Sequence, residues 1–302
     1  MRTLVIKRQL SADEVAQVGE LVGAAERADG HRPLSDHLWL DLAQGGRRGF
    51  AGLLAWEPGH EHPVAYAQVS RGNGSWALEI VVHPHHRYDM AAIGPELLQA
   101  ALEVVSTEGG GHVHWWVFEP TSVHDQLAAG AGLSAGRRLL QMRRPLPLDE
   151  RSNLVTRAFV PGHDEAAWLY VNNRAFANHP EQGGWDEHTL HARENEAWFD
   201  PEGFRLHERD GRLAAFCWTK VHSDQHPVLG EIYVIAVDPD FHGLGLGRSM
   251  TIAGLEHLAS RGVPMGMLFV DANNEAALTL YRSLGFEVHR TDRAYVGDIR
   301  PA

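Results

Sequence analysis

The chain has 302 residues, a length that at roughly 150 residues per domain points to two domains. Hydrophobic residues make up 44% and charged residues 22%, while 39 Asp and Glu against 27 Lys and Arg leave a net charge of −12. That balance excludes wholesale disorder, and it supplies no general basic face for nucleic acid.

In chain order, a short apolar strand, Leu4 to Ile6, precedes a helix announced by a capping box of Ser11 with Glu14. Its apolar positions are Val15, Val18, Leu21, Val22 and Ala25. Phe50–Trp56 and Val64–Ser70 read as strands, and a further strand from Leu78 ends at His83-Pro84. A loop, a helix, the strand Val113–Phe118 and a short helix closing at Gly132 follow. The stretch Arg143-Arg144-Pro145-Leu146-Pro147-Leu148-Asp149-Glu150 is the clearest linker, because its two prolines favour an extended path.

The same order then restarts. A strand, Leu154–Val160, leads to a helix from about Asp164 with Trp168, Val171, Ala175 and Phe176 on one face. Strands Phe204–Glu208 and Arg212–Val221 flank the hairpin signal Asp210-Gly211. A strand from Glu231 ends at Asp238-Pro239, and a loop, a helix, the strand Met267–Val270 and a short helix closing at Gly285 complete the half. Gly94 to Gly132 is 38 residues, as is Gly247 to Gly285, whereas Pro84 to Gly94 is 10 against 8 for Pro239 to Gly247. This is a tandem duplication with one altered loop, with domains at 1–142 and 153–302 and a linker at 143–152.

The run Val237-Asp238-Pro239-Asp240-Phe241-His242-Gly243-Leu244-Gly245-Leu246-Gly247-Arg248 carries a strand into three alternating glycines and a helix. Glycines let successive backbone N–H groups converge, and the helix start adds about half a positive charge, which together make a pyrophosphate cradle. Alone, the loop is equally an ordinary tight turn. It is followed by Asn274-Glu275-Ala276-Ala277-Leu278-Thr279-Leu280-Tyr281-Arg282-Ser283-Leu284-Gly285-Phe286.

With both motifs in this order the chain resembles the GCN5-related N-acetyltransferase superfamily. Its phosphate loop usually opens on Gln or Arg, where this chain has His242. Its second motif is matched by Asn274, Ala277, Leu280, Tyr281, Gly285 and Phe286. Further stretches resemble the mycothiol synthase family: Gln141–Leu146, Asn172–Trp185 with its His179-Pro180-Glu181-Gln182-Gly183-Gly184-Trp185, Ala197–Pro201 and Cys217–His222.

The resemblance implies an α/β chain with α+β mixed sheets, as two tandem acetyltransferase folds. It implies acetyl-CoA as co-substrate and, as acceptor, the cysteinyl amine of a cysteine–glucosamine–inositol conjugate, a small thiol–amine. Glu231 matches the family's general base and Tyr281 its general acid. Acetyl-CoA contacts are implied at Ile235, Ala236 and Val237, at His242, Gly243, Leu244, Gly245, Leu246, Gly247 and Arg248, and at Asn274, Glu275, Ala276, Ala277, Leu278 and Thr279. Substrate contacts are implied at Asp36, Glu181, Lys220, Glu231 and Phe269, the last standing where the family commonly has tyrosine. A solvent-facing glutamate and a core tyrosine remain the plain readings of Glu231 and Tyr281 taken singly.

The first half keeps Arg87, Ile93 and Gly94 but lacks the middle glycines of the loop, and Asp89 would repel a pyrophosphate. No catalysis is expected there, and a second acetyl-CoA would touch Ile80, Val81 and Val82 only if the altered loop tolerated it. Twenty histidines include the cluster His83, His85 and His86, but no Asp or Glu completes a ligand spacing, so no metal is expected. The single cysteine, Cys217, excludes an internal disulfide or a finger-type zinc site and reads as a packed strand residue. No apolar run approaches the roughly 18 residues of a membrane span, and the start turns acidic before a signal-peptide core could form. A cytoplasmic monomer without membrane or nucleic-acid partners is expected. An acetyltransferase for another small amine or a protein N-terminus, and a silent acyl-CoA-binding module, are the rival readings.

Overall fold

The computed structural model describes every residue except Met1, Asn73, Pro180 and Glu181. Elements follow in the order β1 (Thr3–Lys7), α1 (Ala12–Asp29), α2 (Asp36–Ala43), β2 (Phe50–Trp56), β3 (Ala65–Arg71), β4 (Trp76–Val82), α3 (Met90–Thr107), β5 (Gly111–Val117), α4 (Ser122–Gly130) and β6 (Ser134–Pro145). Then come β7 (Arg157–Ala158), α5 (Glu165–Ala175), α6 (Glu187–Glu194), β8 (Phe204–Arg209), β9 (Arg212–His222), β10 (Leu229–Val237), α7 (Leu246–Ser260), β11 (Met265–Asp271), α8 (Glu275–Ser283) and β12 (Glu287–Ile299). Among the described residues no helix is long and apolar enough to cross a membrane.

The chain divides into two compact units, one of residues up to Leu139 together with Thr291–Ala302, the other Leu140–Arg290. In the first, β1 to β4 are antiparallel neighbours, β4 runs parallel to β5, and Arg293–Ile299 of β12 pairs antiparallel with β5. The capping box forms as expected: the Glu14 N–H donates to Ser11 Oγ at 3.3 Å and the Ser11 N–H to the Glu14 carboxylate at 2.9 Å. The α1 residues Val18, Leu21, Val22 and Ala25 then pack on Phe50, Leu54, Tyr66 and Val81, on one face of the sheet. Helix α3 covers the other face through Leu97, Leu98 and Ala101 against Leu53, Ala67, Leu78 and Trp115.

The second unit repeats this plan. Strands β7 to β10 are antiparallel neighbours, β10 is parallel to β11, and the Leu140–Pro145 part of β6 lies beside β11. Helices α7 and α8 pack on Cys217, Ile232 and Leu268. On the opposite face Trp168 and Val171 of α5 meet Phe204, Phe216, Trp218 and Val234.

Three features differ from the sequence expectation. The closing segment Thr291–Ala302 joins the first unit rather than the second, because β12 carries it alongside β5, and the division falls inside β6, ahead of residues 143–152. The strand expected over Leu154–Val160 shrinks to Arg157–Ala158, since Val155 and Val160 are exposed and only β8 is available to pair. Helices α2 and α6, each eight residues long, have no counterpart in the sequence reading.

Candidate active site

Strand β10 pairs with β9 along its whole length, from Leu229 with His222 to Val237 with Ala215. Its parallel pairing with β11 stops much earlier, running only from Leu229 with Met265 to Ile232 with Leu268. The change coincides with a register shift between Ile232 and Val234. An extra residue bends a strand, and here it turns both Tyr233 and Val234 toward the aromatic core, while Ile232, Ile235 and Val237 face the opposite core. Past the bulge the two strands part. Backbone groups that Ile235 and its neighbours direct away from β9 therefore meet no strand, and an extended chain can pair with them.

The slot leads to the glycine loop. Asp238 accepts the Asp240 N–H at 2.9 Å and sets the tight turn Pro239–Phe241. Gly243 and Gly245 have φ of +79° and +73°, and a side chain at either would meet nothing within 4 Å. The loop thus presents backbone, with open space in front of it, immediately before the first turn of α7 that Leu246, Gly247 and Arg248 begin. A phosphate fits such a cradle. His242 Nε2 donates to the Val237 carbonyl at 3.1 Å, so that carbonyl is already engaged. The Arg248 guanidinium is bound to Ser283 Oγ at 2.7 Å and to both Glu150 oxygens at 2.7 and 2.8 Å, leaving its backbone N–H as its contribution to the loop.

Asn274 caps α8, its Oδ1 accepting the Ala277 N–H at 3.1 Å. The Asn-x-x-Ala spacing is therefore first a helix start. Of the next residues, Glu275, Ala276 and Thr279 are exposed or half-exposed, whereas Leu278 packs into the core. Tyr281 is buried with its ring edge-on to Phe286 at 5.9 Å. Burial, with Cys217 nearby, pushes its hydroxyl up to about 12. Cys217 stands opposite Ile235 in the register, so Tyr281 lies level with the opened part of β10.

Glu231 sits at the apex, one residue before the last β10–β11 pair, and is only 7% exposed. Its Oε2 is 2.7 Å from His222 Nε2. Lys220 is directly opposite Glu231 across β9 and β10, which puts both side chains on one sheet face with His222 diagonal to Glu231. Lys220 Nζ lies 4.6 Å from the Trp198 ring centroid and 5.4 Å from that of Tyr233. Arg193 stacks on Trp185 at 4.0 Å and donates through Nε to Tyr233 Oη at 3.1 Å. Phe269 alternates with Leu268 and Val270, which face the α7 side, so it shares its face with Met267, the partner of Glu231.

Of the remaining expected residues, Glu181 lies outside the described residues. Residues 182–185, next in the chain, are pinned: Asn172 donates to the Gln182 carbonyl at 3.1 Å, and the Asn173 amide exchanges bonds of 2.8 and 3.0 Å with the Trp185 backbone. A side chain at Gly183 would collide with the Phe176 carbonyl, which accounts for the first glycine of the Gly-Gly pair. Asp36 opens α2 in the first unit. The sequence reading gives no role to His222, Tyr233, Arg193 or Trp198. Alternation of Lys220 and His222 along β9 is the one signal it offers for His222.

In the first unit β4 and β5 part in the same way, with pairing from Trp76 with Val113 only to Leu78 with Trp115. Beyond the split is a cavity of about 420 Å³ whose lining includes Ile80, Val81, Val82, Trp116 and Phe118. Counted from the split, Ala77 stands where Glu231 does, and counted from the helix-closing glycine, Ala128 stands where Tyr281 does. No residue from Pro84 to Gly94 has a positive φ. Arg87 is held by both Asp29 oxygens at 2.6 Å. This unit keeps the slot but lacks the glycine cradle, with alanines where the second unit has Glu231 and Tyr281.

Residues 168–286 match the family model described as acetyltransferase (GNAT) family. A GCN5-related N-acetyltransferase from Sphaerobacter thermophilus superposes with a TM-score of 0.72, covering 99% of this chain and 96% of that one at 22% identity. A tandem GNAT protein from the clavulanic acid biosynthesis pathway gives 0.68 over 100% of both chains at 17% identity. Paired α/β units with split strands, one with a glycine loop, are thus the fold of a tandem GCN5-related N-acetyltransferase, a class of enzyme that uses acetyl-CoA. Mycothiol acetyltransferase of Thermomonospora curvata is 44% identical, covering 97% of each chain, and that of Streptomyces coelicolor is 41% identical, covering 97% of this chain and 95% of its own. The chain belongs to the mycothiol acetyltransferase family.

Proposed function

We propose that the second unit acetylates the cysteinyl amine of a cysteine–glucosamine–inositol conjugate to form mycothiol, and that the first unit carries no chemistry. The observation that supports this most directly is Glu231 at the apex of the β10–β11 split, on the face it shares with Lys220. Acetyl-CoA supplies an activated thioester. Ile235 and Ala236 offer backbone groups to the pantetheine arm and the acetyl carbonyl, with Val237 contributing less because His242 holds its carbonyl. The N–H groups of the loop from His242 to Gly247, with that of Arg248, receive the pyrophosphate, and the start of α8 from Asn274 to Thr279 flanks it.

An α-amino group has a pKa of about 7.7–8.0, so near neutrality most of the acceptor is protonated and must lose a proton before attack. Glu231 takes that proton directly or through water, while His222 holds Oε2 and leaves the other oxygen to face the amine. Tyr281 keeps its proton throughout the neutral range. Complete transfer from such a phenol to a thiolate of ordinary pKa, about 8.5, runs uphill, so its main service is a hydrogen bond to the departing sulfur. Lys220 donates to sugar or inositol oxygens, Glu181 attracts the substrate ammonium, and Phe269 gives an apolar wall in place of a hydroxyl.

The first-unit slot at Ile80, Val81 and Val82 has no anion cradle, and tight acetyl-CoA binding there is not expected. The transfer needs no metal, and a monomer in the cytoplasm, where acetyl-CoA is made and used, suits it. The deciding assay offers acetyl-CoA with the conjugate, with free cysteine and with a peptide amine. Preference for the conjugate by a large factor in kcat/KM is expected. Equal or better use of the peptide would move the assignment to a protein N-terminal acetyltransferase.

A further inference from the structure

We propose that the first unit binds a divalent transition-metal ion of the zinc type through Glu57, His60 and His86. Spacing alone gives the histidines around Pro84 no carboxylate, but the fold brings one from the end of β2. One ligand atom from each of the three residues lies within 4.8 Å of the other two. Glu57 Oε2 is 3.8 Å from His86 Nδ1, and the His60 and His86 rings are 4.9 Å apart. A tetrahedral ion with bonds of about 2.0–2.1 Å spaces its ligands about 3.4 Å apart. Closure therefore asks for small side-chain movements, and His60, exposed on a loop, can make the largest.

A second observation points to a ligand. His86 is 8% exposed, and its Nδ1, buried and turned toward Glu57, has no hydrogen-bond partner. A buried imidazole nitrogen left so is costly, and an ion between it and the carboxylate would satisfy it. Glu57 is also oriented as metal-binding carboxylates are: Arg2 donates to Oε1 from Nε at 3.3 Å and Nη2 at 2.9 Å, so the other oxygen faces His86. Around the trio stand further imidazoles, His83 at 6.0 Å from His86 and His62 stacked on His83 at 5.0 Å. Two imidazoles and a carboxylate suit zinc, nickel or copper rather than magnesium or calcium, with water completing the shell. The ion would clip the loop after β2 to the turn that replaces the glycine cradle in this unit, and its role would be structural.

The test uses the full chain without a histidine tag, stripped with chelator and titrated with Zn2+ against a chromophoric chelator. One saturable equivalent is expected, and zinc should raise the Tm. His60→Ala with His86→Ala should weaken binding by more than about 100-fold, beyond the 10–100-fold that losing an outer partner costs. Glu57→Gln preserves volume and both imidazoles, so it tests the site if the double variant folds poorly, and it should weaken binding at least about tenfold. The second three-residue group, Glu165, His191 and Glu194, is the control. Absence of a saturable equivalent overturns the proposal, as does one that survives in Glu57→Gln but is lost in Glu194→Gln.

Discussion

Replacing Gly245 and Gly94 by valine separates the two units by what each glycine is for. Gly245 has φ of +73° and open space before it. A non-glycine residue in that region costs about 1–2 kcal/mol, and a β-branched one is a true outlier. The exposed loop escapes by leaving its conformation, which forfeits one or more N–H bonds to a charged pyrophosphate. At about 1.5–3 kcal/mol for a hydrogen bond to a charged group, the KM for acetyl-CoA should rise roughly 10- to 150-fold. Gly94 lies inside α3, where a Cβ would sit 2.7 Å from Leu127 Cδ1 and 3.2 Å from Cδ2. Overpacking of that kind costs about 1–3 kcal/mol, and each kcal/mol lowers the Tm of a unit this size by about 2–4 °C. Gly94→Val should therefore lose Tm and keep its KM. Initial rates at varied acetyl-CoA and thermal melts on the same two preparations decide it. Equal rises in KM for both variants would refute the asymmetry between cradle and degenerate turn.

Glu231→Gln should lower kcat by about 10²–10⁴-fold at neutral pH with the acetyl-CoA KM unchanged. Its deficit should shrink above pH 8 as the amine loses its proton unaided, and wild-type turnover at pH 7 would remove Glu231 from the mechanism. Tyr281→Phe keeps the packing on Phe286, so kcat should fall about tenfold to a few hundredfold with little loss of Tm. A destabilised but fully active variant would return that tyrosine to the core. Lys220→Met should raise the KM for the conjugate and not that for acetyl-CoA, a split that two-substrate kinetics reads directly. For Asp164, burial alone would raise the carboxyl, but Arg157, the Val160 N–H and His163 outweigh it and hold it down to about 2, against an ordinary 3.8. Because the folded value is the lower one, its stabilisation of about 2 kcal/mol is complete above pH 4 and fades as pH falls toward 2. Asp164→Asn should accordingly melt below wild type at pH 7 and approach it near pH 2, and a gap that persists in acid would contradict this account.

What could be read from the chain was local. The capping box at Ser11, the hairpin turn at Asp210-Gly211, the glycine loop and the helix from Asn274 each depend on residues a few positions apart, and each forms. The duplication was exposed by the repeated order of strands and helices and by the equal 38-residue intervals from Gly94 to Gly132 and from Gly247 to Gly285. Features made by pairing at a distance were hidden. The bulge at Tyr233 adds one residue with no compositional mark. Residues 223–228 join β9 to β10 without a turn signal of fixed length, so the register that sets Lys220 against Glu231, and His222 beside it, could not be counted. Helix α6 buries Leu190 and Arg193 but has no apolar periodicity to betray it. The exchange of end strands had no signal either, since a strand's sequence describes its faces better than its neighbour.

That exchange sets the order in which the protein can mature. Chains are made from the N-terminus, and early domains ordinarily fold first. Here the unit begun first is completed after the other, because the strand that lies along β5, with Tyr295 buried against Trp115 at 5.3 Å, follows every residue of the second unit in the chain. The unit with Glu231 and Tyr281 borrows β6, already synthesised, and is whole once Arg290 has emerged. A chain cut shortly after Arg290 would thus keep every residue proposed for catalysis and lose a strand of the first unit, so that truncation should surface as misfolding rather than as altered chemistry.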